Sequence, residues 1–436
     1  MKSIYFYTLG CSKNTVDSQM MKDSLIGSEY KVTNDIESAN YVVVNTCAFI
    51  QSAKEESIEA ILEIAKLKTF GKLKKLVIAG CLAERYSEEL LKEVPEADAI
   101  LGTGAIGNIL ELLKNLELKD KAVLKKDINS ELPKIPRVGS VKAVEYVKIS
   151  EGCNNNCSYC IIPKLRGKNR SRKIDDIQNE VRFLVENGAR EVILISQNTT
   201  DYGIDMGETL SELLRKIDEI EGDYWIRLLY LYLDGVDLEL LEVIKNSKHI
   251  LPYFDIPMQH ISNSVLKRMN RNTTRSEVEK TLNEIRALLP DAIIRTTFIV
   301  GFPQETEKEF QELLDFITVQ KFHKLGVFTY SREENTRAYS MKGQLSEKKK
   351  ENRRNILMQT QAEISRELLS KSIGREYRVL LEEKAEGEYF ARTWEDAPEV
   401  DGEVWIYSDK NLSVGEFLEV KITDTMEYDR TAEVLK

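Results

Sequence analysis

Apolar residues in the first hundred positions gather into three short runs, at residues 4–10, 41–46 and 76–80. The two later runs are rich in β-branched residues and predict buried strands, while the aromatic first run is a weaker strand. Between them residues 53–67 place Ile58, Ile61, Leu62 and Ile64 against a charged opposite face, the pattern of an amphipathic helix. Strands alternating with helices predict a parallel sheet, which carries its functional groups at the strand carboxyl ends. A charged stretch with Pro133 and Pro136 follows, and residues 118–141 read as a linker.

The alternation then resumes. Residues 146–150, 191–196, 225–233, 253–256, 292–300 and 324–330 read as strands, with helical patterns between them, for example at 174–186 and 307–319. Six strands with intervening helices predict a (βα)6 partial barrel whose working face is the strand carboxyl ends. Residues 340–370 read as a long charged helix. Beyond it, short alternating runs at 377–381, 404–407 and 417–422, divided by Gly387, Gly402 and Gly415, predict a small β-barrel. The fold class is therefore α/β, with an N-terminal parallel-sheet domain (1–117), a linker (118–141), a central partial barrel (142–371) and a small C-terminal β-barrel (372–436).

The 436 residues allow two to four domains at about 100–200 residues each. No run of ~18 apolar residues is present, so no membrane partner is expected. The first residues lack the length and cleavage site of a secretory signal, and the expected location is cytoplasmic. The six cysteines, Cys11, Cys47, Cys81, Cys153, Cys157 and Cys160, then read as ligands or catalytic groups before disulfides. Charge is uneven: residues 372–436 hold 17 acidic and 8 basic side chains, nearly all of the net −10.

Cys153, Cys157 and Cys160 stand in C-x3-C-x2-C spacing just past a predicted strand. Thiolates bind iron–sulfur clusters, and a closed 4Fe–4S site takes four of them. Three in one tight loop leave one iron open to a small molecule. Zinc is the competing reading, but it would need a fourth Cys or His, and the only histidines are His249, His260 and His323. Cys11, Cys47 and Cys81 each follow one of the first three strand candidates. Any one alone reads equally as a small buried apolar residue. Three at the same topological position would converge on one sheet edge.

The cysteine loop resembles the signature of the radical S-adenosylmethionine (SAM) superfamily, in which the open iron binds SAM and SAM is cleaved to a radical that abstracts hydrogen. The three-part chain resembles the methylthiotransferase family within it. That likeness implies two 4Fe–4S clusters, one on Cys153, Cys157 and Cys160 and an auxiliary one on Cys11, Cys47 and Cys81, and identifies the last segment with the TRAM domain. Several runs look like the branch that modifies an aspartate β-carbon of ribosomal protein S12: residues 9–14, 45–50, 53–58, 80–86, 148–153 and 330–334. The resemblance implies β-methylthiolation, with one SAM as methyl donor and one as radical source. It also implies a flavodoxin-type electron donor and a sulfur donor. The alternative is a tRNA (N6-isopentenyladenosine) 2-methylthiotransferase. An acidic C-terminal barrel argues against direct tRNA binding and for a basic protein substrate, although acidity also serves solubility.

Two departures from the family pattern stand out. Residues 230–235 (Tyr-Leu-Tyr-Leu-Asp-Gly) lack a histidine common there, so no catalytic role is carried to that strand, and Asn335 replaces a frequent glycine. Ser196, Gln197, Arg295 and Gly301 lie near strand carboxyl ends and are the SAM-contact candidates, though core or turn roles fit each as well. The basic run 164–173 reads as a solvated face or as a SAM or substrate contact. Gly102, Gly104 and Gly107 fit G-x-G-x-x-G, but so late in the domain they read as a turn into a helix.

Overall fold

The computed structural model describes residues 2–385 and 387–435. Strands β1 (Lys2–Thr8), β2 (Tyr30–Val32), β3 (Tyr41–Thr46), β4 (Lys75–Gly80), β5 (Ala99–Leu101) and β6 (Ala122–Leu124) form one sheet in the order β2-β1-β3-β4-β5-β6. Every neighbouring pair is parallel. Side chains alternate across it: Val42 and Val44 pack with Ile61 and Ile64 of helix α2 (Gln51–Ala65). Val43 packs on the other face with Met21 of α1 (Ser12–Ser24) and Ile109. Both faces are covered, which is why β3 reads as a continuous apolar run. The segment read as a linker starts inside this domain, because β6 adds the sixth strand. Three residues on an exposed edge are too few to show a period.

Strands β7 (Val144–Lys148), β10 (Glu191–Ile195), β11 (Trp225–Leu228), β12 (Tyr253–Asp255), β13 (Ile293–Val300) and β14 (Lys324–Thr329) build the second unit. A short antiparallel pair, β8 (Ser150–Glu151) with β9 (Arg170–Ser171), frames the cysteine loop. The strands form two parallel three-stranded sheets, β7-β10-β11 and β12-β13-β14, joined by a bridge between Ile226 and Ile250. The result is an open arc of six. Helices close over its outside through Leu184, Leu213, Leu241, Leu282 and Leu313. The third strand is shorter than its apolar run predicts. The chain leaves β11 after Leu228, and Tyr230 takes φ +62° while its amide donates to the Asp255 carboxylate at 3.0 Å.

Strands β15 (Glu376–Ala385), β16 (Glu388–Thr393), β17 (Val404–Tyr407), β18 (Phe417–Thr425) and β19 (Arg430–Val434) close a barrel in the order β15-β16-β17-β19-β18. Leu380 and Ala397 of this segment pack with Tyr146, Ile193, Trp225 and Tyr253 of the arc. Buried ions reinforce the join. Arg227 and Arg392 both meet Glu191, Arg227 at 2.6 Å, and together they outweigh burial and hold that carboxyl below its usual range. No helix among the described residues is long and apolar enough to cross a membrane.

Candidate active site

Strands β1, β3 and β4 are sheet neighbours, and their carboxyl ends deliver Cys11, Cys47 and Cys81 to one edge. Cys11 is exposed at the start of α1, Cys47 is half-buried, and Cys81 is buried as the first residue of a short helix. The approach is close. Gly10 has φ +90°, and a Cβ placed on it would lie 2.8 Å from Cys47 Cβ and 3.3 Å from Cys47 Sγ. A side chain there would be strained and would press on the second cysteine. Asn14, fully buried, ties the strand ends together by donating to the carbonyls of Leu9 (2.7 Å) and Thr46 (3.0 Å). Burial pushes the Cys81 thiol up to about 12, opposed by the Arg166 guanidinium, and raises Cys47 as well.

Cys153, Cys157 and Cys160 are all half-buried on the loop after β8. Gly152 has φ +85°, and a Cβ on it would sit 2.1 Å from the Lys168 carbonyl oxygen. That oxygen is backbone and has no side-chain freedom with which to yield. The far part of the loop is held by Ser158, whose amide donates to the Met269 carbonyl at 2.8 Å and whose hydroxyl donates to that of Arg268 at 2.9 Å. Burial lifts the Cys160 thiol to about 12 and that of Cys153 to about 11.

The thiols within each set influence one another's charge. Among the described residues, however, no three Cys, His, Asp or Glu side chains are grouped to hold a single metal ion. A cube with iron at its corners needs its thiolates further apart than one tetrahedral ion does. An all-sulfur donor set matches iron–sulfur ligation and lacks the fourth ligand of a structural zinc. The donor chemistry of both sets suits iron–sulfur clusters, and among the described residues neither set is drawn together as for one metal ion.

The two sets share one interface. Ile161, next to Cys160, and Leu165 pack into the core of the N-terminal domain. Between the sets lies a buried ionic network. Arg166 donates to Glu151 Oε1 and Oε2 at 3.0 and 3.1 Å, to Asp17 Oδ2 at 2.9 Å and to Asn14 Oδ1 at 2.7 Å. Lys148 joins Asp17 at 2.6 Å and also meets Glu151. Burial opposes ionisation of Glu151, but Arg166 and Lys148 prevail and hold the carboxyl well below its ordinary range. The network continues to Gln197, which accepts from the Gly152 amide at 2.8 Å and bonds Glu151.

A second latch joins runs that are distant in the sequence. Glu333, 1% exposed, pairs with Lys54 at 2.9 Å and Arg85 at 3.1 Å, and Tyr86 reaches Glu334. The runs 53–58, 80–86 and 330–334 are thus one interdomain contact. Asn335 takes φ +65° and keeps the left-handed turn that a glycine would provide.

The candidate SAM contacts fall in different settings. Ser196 is fully buried, its hydroxyl 3.4 Å from Thr199 Oγ1. Gln197 touches the loop that carries Cys153. Arg295 lies on β13, paired with Asp255 at 2.8 Å. Gly301 follows β13 with φ +73°, and a Cβ on it would strike Lys350 of the helix Glu347–Ser370. The glycine-rich run is a 3-10 turn, Thr103–Asn108, entering a helix; added Cβ atoms would meet Glu84, Lys126 and Pro133. His260 is fully buried, its Nδ1 accepting from the Ser262 amide at 3.0 Å.

Sequence reasoning did not single out the network around Arg166. The basic run 164–173 is not a free solvated face: Arg166 is 3% exposed, and Arg170 and Arg172 donate to the carbonyls of Ser130 and Lys148. The available signal was Lys148 inside an apolar strand run, a charge that burial would oblige to pair.

An open six-stranded arc with a three-cysteine loop after its first strand defines a radical SAM enzyme, and residues 147–317 match the Radical SAM superfamily. Residues 3–102 match the Uncharacterized protein family UPF0004, and residues 373–435 the TRAM domain. The chain is 49% identical to the ribosomal protein uS12 methylthiotransferase RimO of Clostridioides difficile, over 100% of this chain and 99% of that one. It is 44% identical to the protein so named from Bdellovibrio bacteriovorus, over 100% and 98%. The chain belongs to the uS12 methylthiotransferase RimO family. Among solved structures it resembles the radical SAM methyltransferase TsrM of Kitasatospora setae, with TM-score 0.57 and 13% identity over 89% of this chain and 81% of that one. At that identity the likeness is one of fold.

Proposed function

We propose that this enzyme replaces a hydrogen on the β-carbon of an aspartate of ribosomal protein S12 by a methylthio group, with one SAM as methyl donor and another as radical source. The observation that carries the reading is the meeting of two three-cysteine sets across one interface, in a chain related along its whole length to enzymes named for that activity. Cys153, Cys157 and Cys160 hold the 4Fe–4S cluster that binds SAM, and Cys11, Cys47 and Cys81 hold the auxiliary cluster. When bound, these groups supply the electron for SAM cleavage and the site at which sulfur is methylated.

The protein's part is position. Gly152 and Ser158 fix the two ends of the SAM-cluster loop, and Gly10 and Asn14 fix the strand ends of the auxiliary set. The Arg166 network sets the distance between them. Ser196, Gln197, Arg295 and Gly301 are the proposed SAM contacts; Gln197 adjoins the loop that carries Cys153, through the Gly152 amide. The domain assignment is 1–117 for the auxiliary-cluster domain, extended by β6, then the linker to 141, the radical SAM domain 142–371 and the TRAM barrel 372–436. A flavodoxin-type reductant and a sulfur donor complete the reaction, in the cytoplasm.

Net charge separates protein from tRNA as the substrate. The TRAM segment carries 17 acidic and 8 basic residues. Although Asp396 and Glu395 are committed to Arg430, the segment still carries a strong net negative charge. A polyanion is repelled and a basic ribosomal protein attracted. Titration of the cluster-loaded enzyme should show S12 binding that weakens several-fold as ionic strength rises. Unmodified tRNA should show no comparable affinity. Tight tRNA binding with a steep salt slope, and none to S12, would move the enzyme to the tRNA branch.

A further inference from the structure

Most of the buried charges at the interdomain site have counter-charges; Lys13 does not. Its residue is 6% exposed, on the first turn of α1 two positions after Cys11. Among the described residues its ammonium makes no ion pair or hydrogen bond; it rests 2.8 Å from the centre of the Tyr230 ring. The nearby carboxylates are engaged elsewhere. Asp255 is held by Arg295 and the Tyr230 amide, and Glu151 by Arg166, Lys148 and Gln197. A buried lysine whose nearest neighbour is an aromatic face lacks the anion that would offset its lost hydration, and burial pulls its ammonium below the usual lysine range.

Tyr230 explains where that ammonium points. The residue sits in the left-handed region just past β11, at the carboxyl-end mouth of the arc. Its hydroxyl lies 3.2 Å from Ser12 Oγ, so the ring spans from the barrel to the turn that carries Cys11. Lys13 is therefore presented at the seam between the two cysteine sets.

We infer that Lys13 is the binding residue for the side-chain carboxylate of the substrate aspartate, and that it selects an acidic residue over a neutral one. This rests on the proposed reaction. In that reaction the carbon attacked is bonded directly to the carboxylate carbon. A cation that grips the carboxylate thereby fixes the reacting C–H within one bond, with the auxiliary-cluster cysteine two residues away. Positioning of this kind is what orientation contributes to a radical abstraction. The competing role for the same ammonium is to balance the charge of the cluster on Cys11.

The two roles separate experimentally. Cluster-loaded enzyme, with SAM but no reductant, is titrated with S12 and with S12 whose target aspartate is replaced by asparagine. The wild-type enzyme should prefer the aspartate form by about 10- to 100-fold, the range of a hydrogen bond to a charged group. Lys13→Met should bring the aspartate form down to the affinity of the asparagine form and leave the latter unchanged, while Lys13→Arg retains part of the preference. Iron content and the auxiliary-cluster EPR signal should be unaltered. No aspartate preference in the wild-type enzyme would overturn the assignment without use of any variant. A Lys13→Met enzyme that keeps the preference but shifts the auxiliary-cluster potential would give Lys13 to the cluster instead. If wild-type enzyme neither binds nor modifies S12, it is the proposed reaction that fails, and the carboxylate role falls with it.

Discussion

Alanine at Cys11, Cys47 or Cys81 should abolish methylthio transfer while SAM cleavage survives in part. The argument is spatial. These thiols stand at the ends of β1, β3 and β4 on one domain, whereas Cys153, Cys157 and Cys160 are carried by a loop anchored to the barrel through Ser158 and the Gly152 amide. Loss of one ligand from the first set leaves the second loop's anchors untouched. Product analysis checks this: 5′-deoxyadenosine should still form under reducing conditions, and methylthiolated S12 should fall below detection. Alanine at Cys153, Cys157 or Cys160 should remove both products. Undiminished methylthio transfer by Cys11→Ala, Cys47→Ala or Cys81→Ala would remove those residues from the ligand set.

Arg166→Met should be the most damaging single change away from the cysteines. Arg166 is 3% exposed and makes four hydrogen bonds to Glu151, Asp17 and Asn14. Its removal leaves two buried carboxylates with Lys148 as the cation they share. Breaking one partner out of a buried ionic group costs about 3–5 kcal/mol, and a drop in the first melting transition on the order of 10 °C follows. Iron content should fall for both clusters, because Asn14 braces the Cys11 turn and Glu151 precedes the Cys153 loop. Arg166→Lys should rescue little, since one ammonium cannot reproduce the planar fork. Changing Glu151 and Arg166 together to apolar residues should cost less stability than either change alone. A melt and iron content equal to wild type in Arg166→Met would show that the network does not join the two sites.

The parts of this fold that were legible in the sequence are those with a strong local period. β3, β4 and the helices at 174–186 and 307–319 stand where hydrophobic spacing puts them, and the strand-end cysteines follow from the parallel sheet. β6 was not legible, being three residues on an edge, and neither was the end of β11, where Tyr230 turns left-handed against an apolar pattern. The placement of the cysteines was legible, and the pairing of the charges around them was not. Lys13 and Asp17 lie more than 120 residues before Lys148, Glu151 and Arg166, and only tertiary packing shows that four of the five neutralise each other and one is left over. Similarly, the runs containing Lys54, Arg85 and Glu333 were visible as family-like strings, but their meeting in one latch was not.

The central claim is tested most directly by mass analysis after anaerobic cluster reconstitution. Enzyme, SAM, a reductant and sulfide are incubated with either S12 or unmodified tRNA. The account predicts a methylthio mass increment on an aspartate-containing peptide of S12 and none on tRNA. An increment on tRNA with S12 unmodified would contradict it.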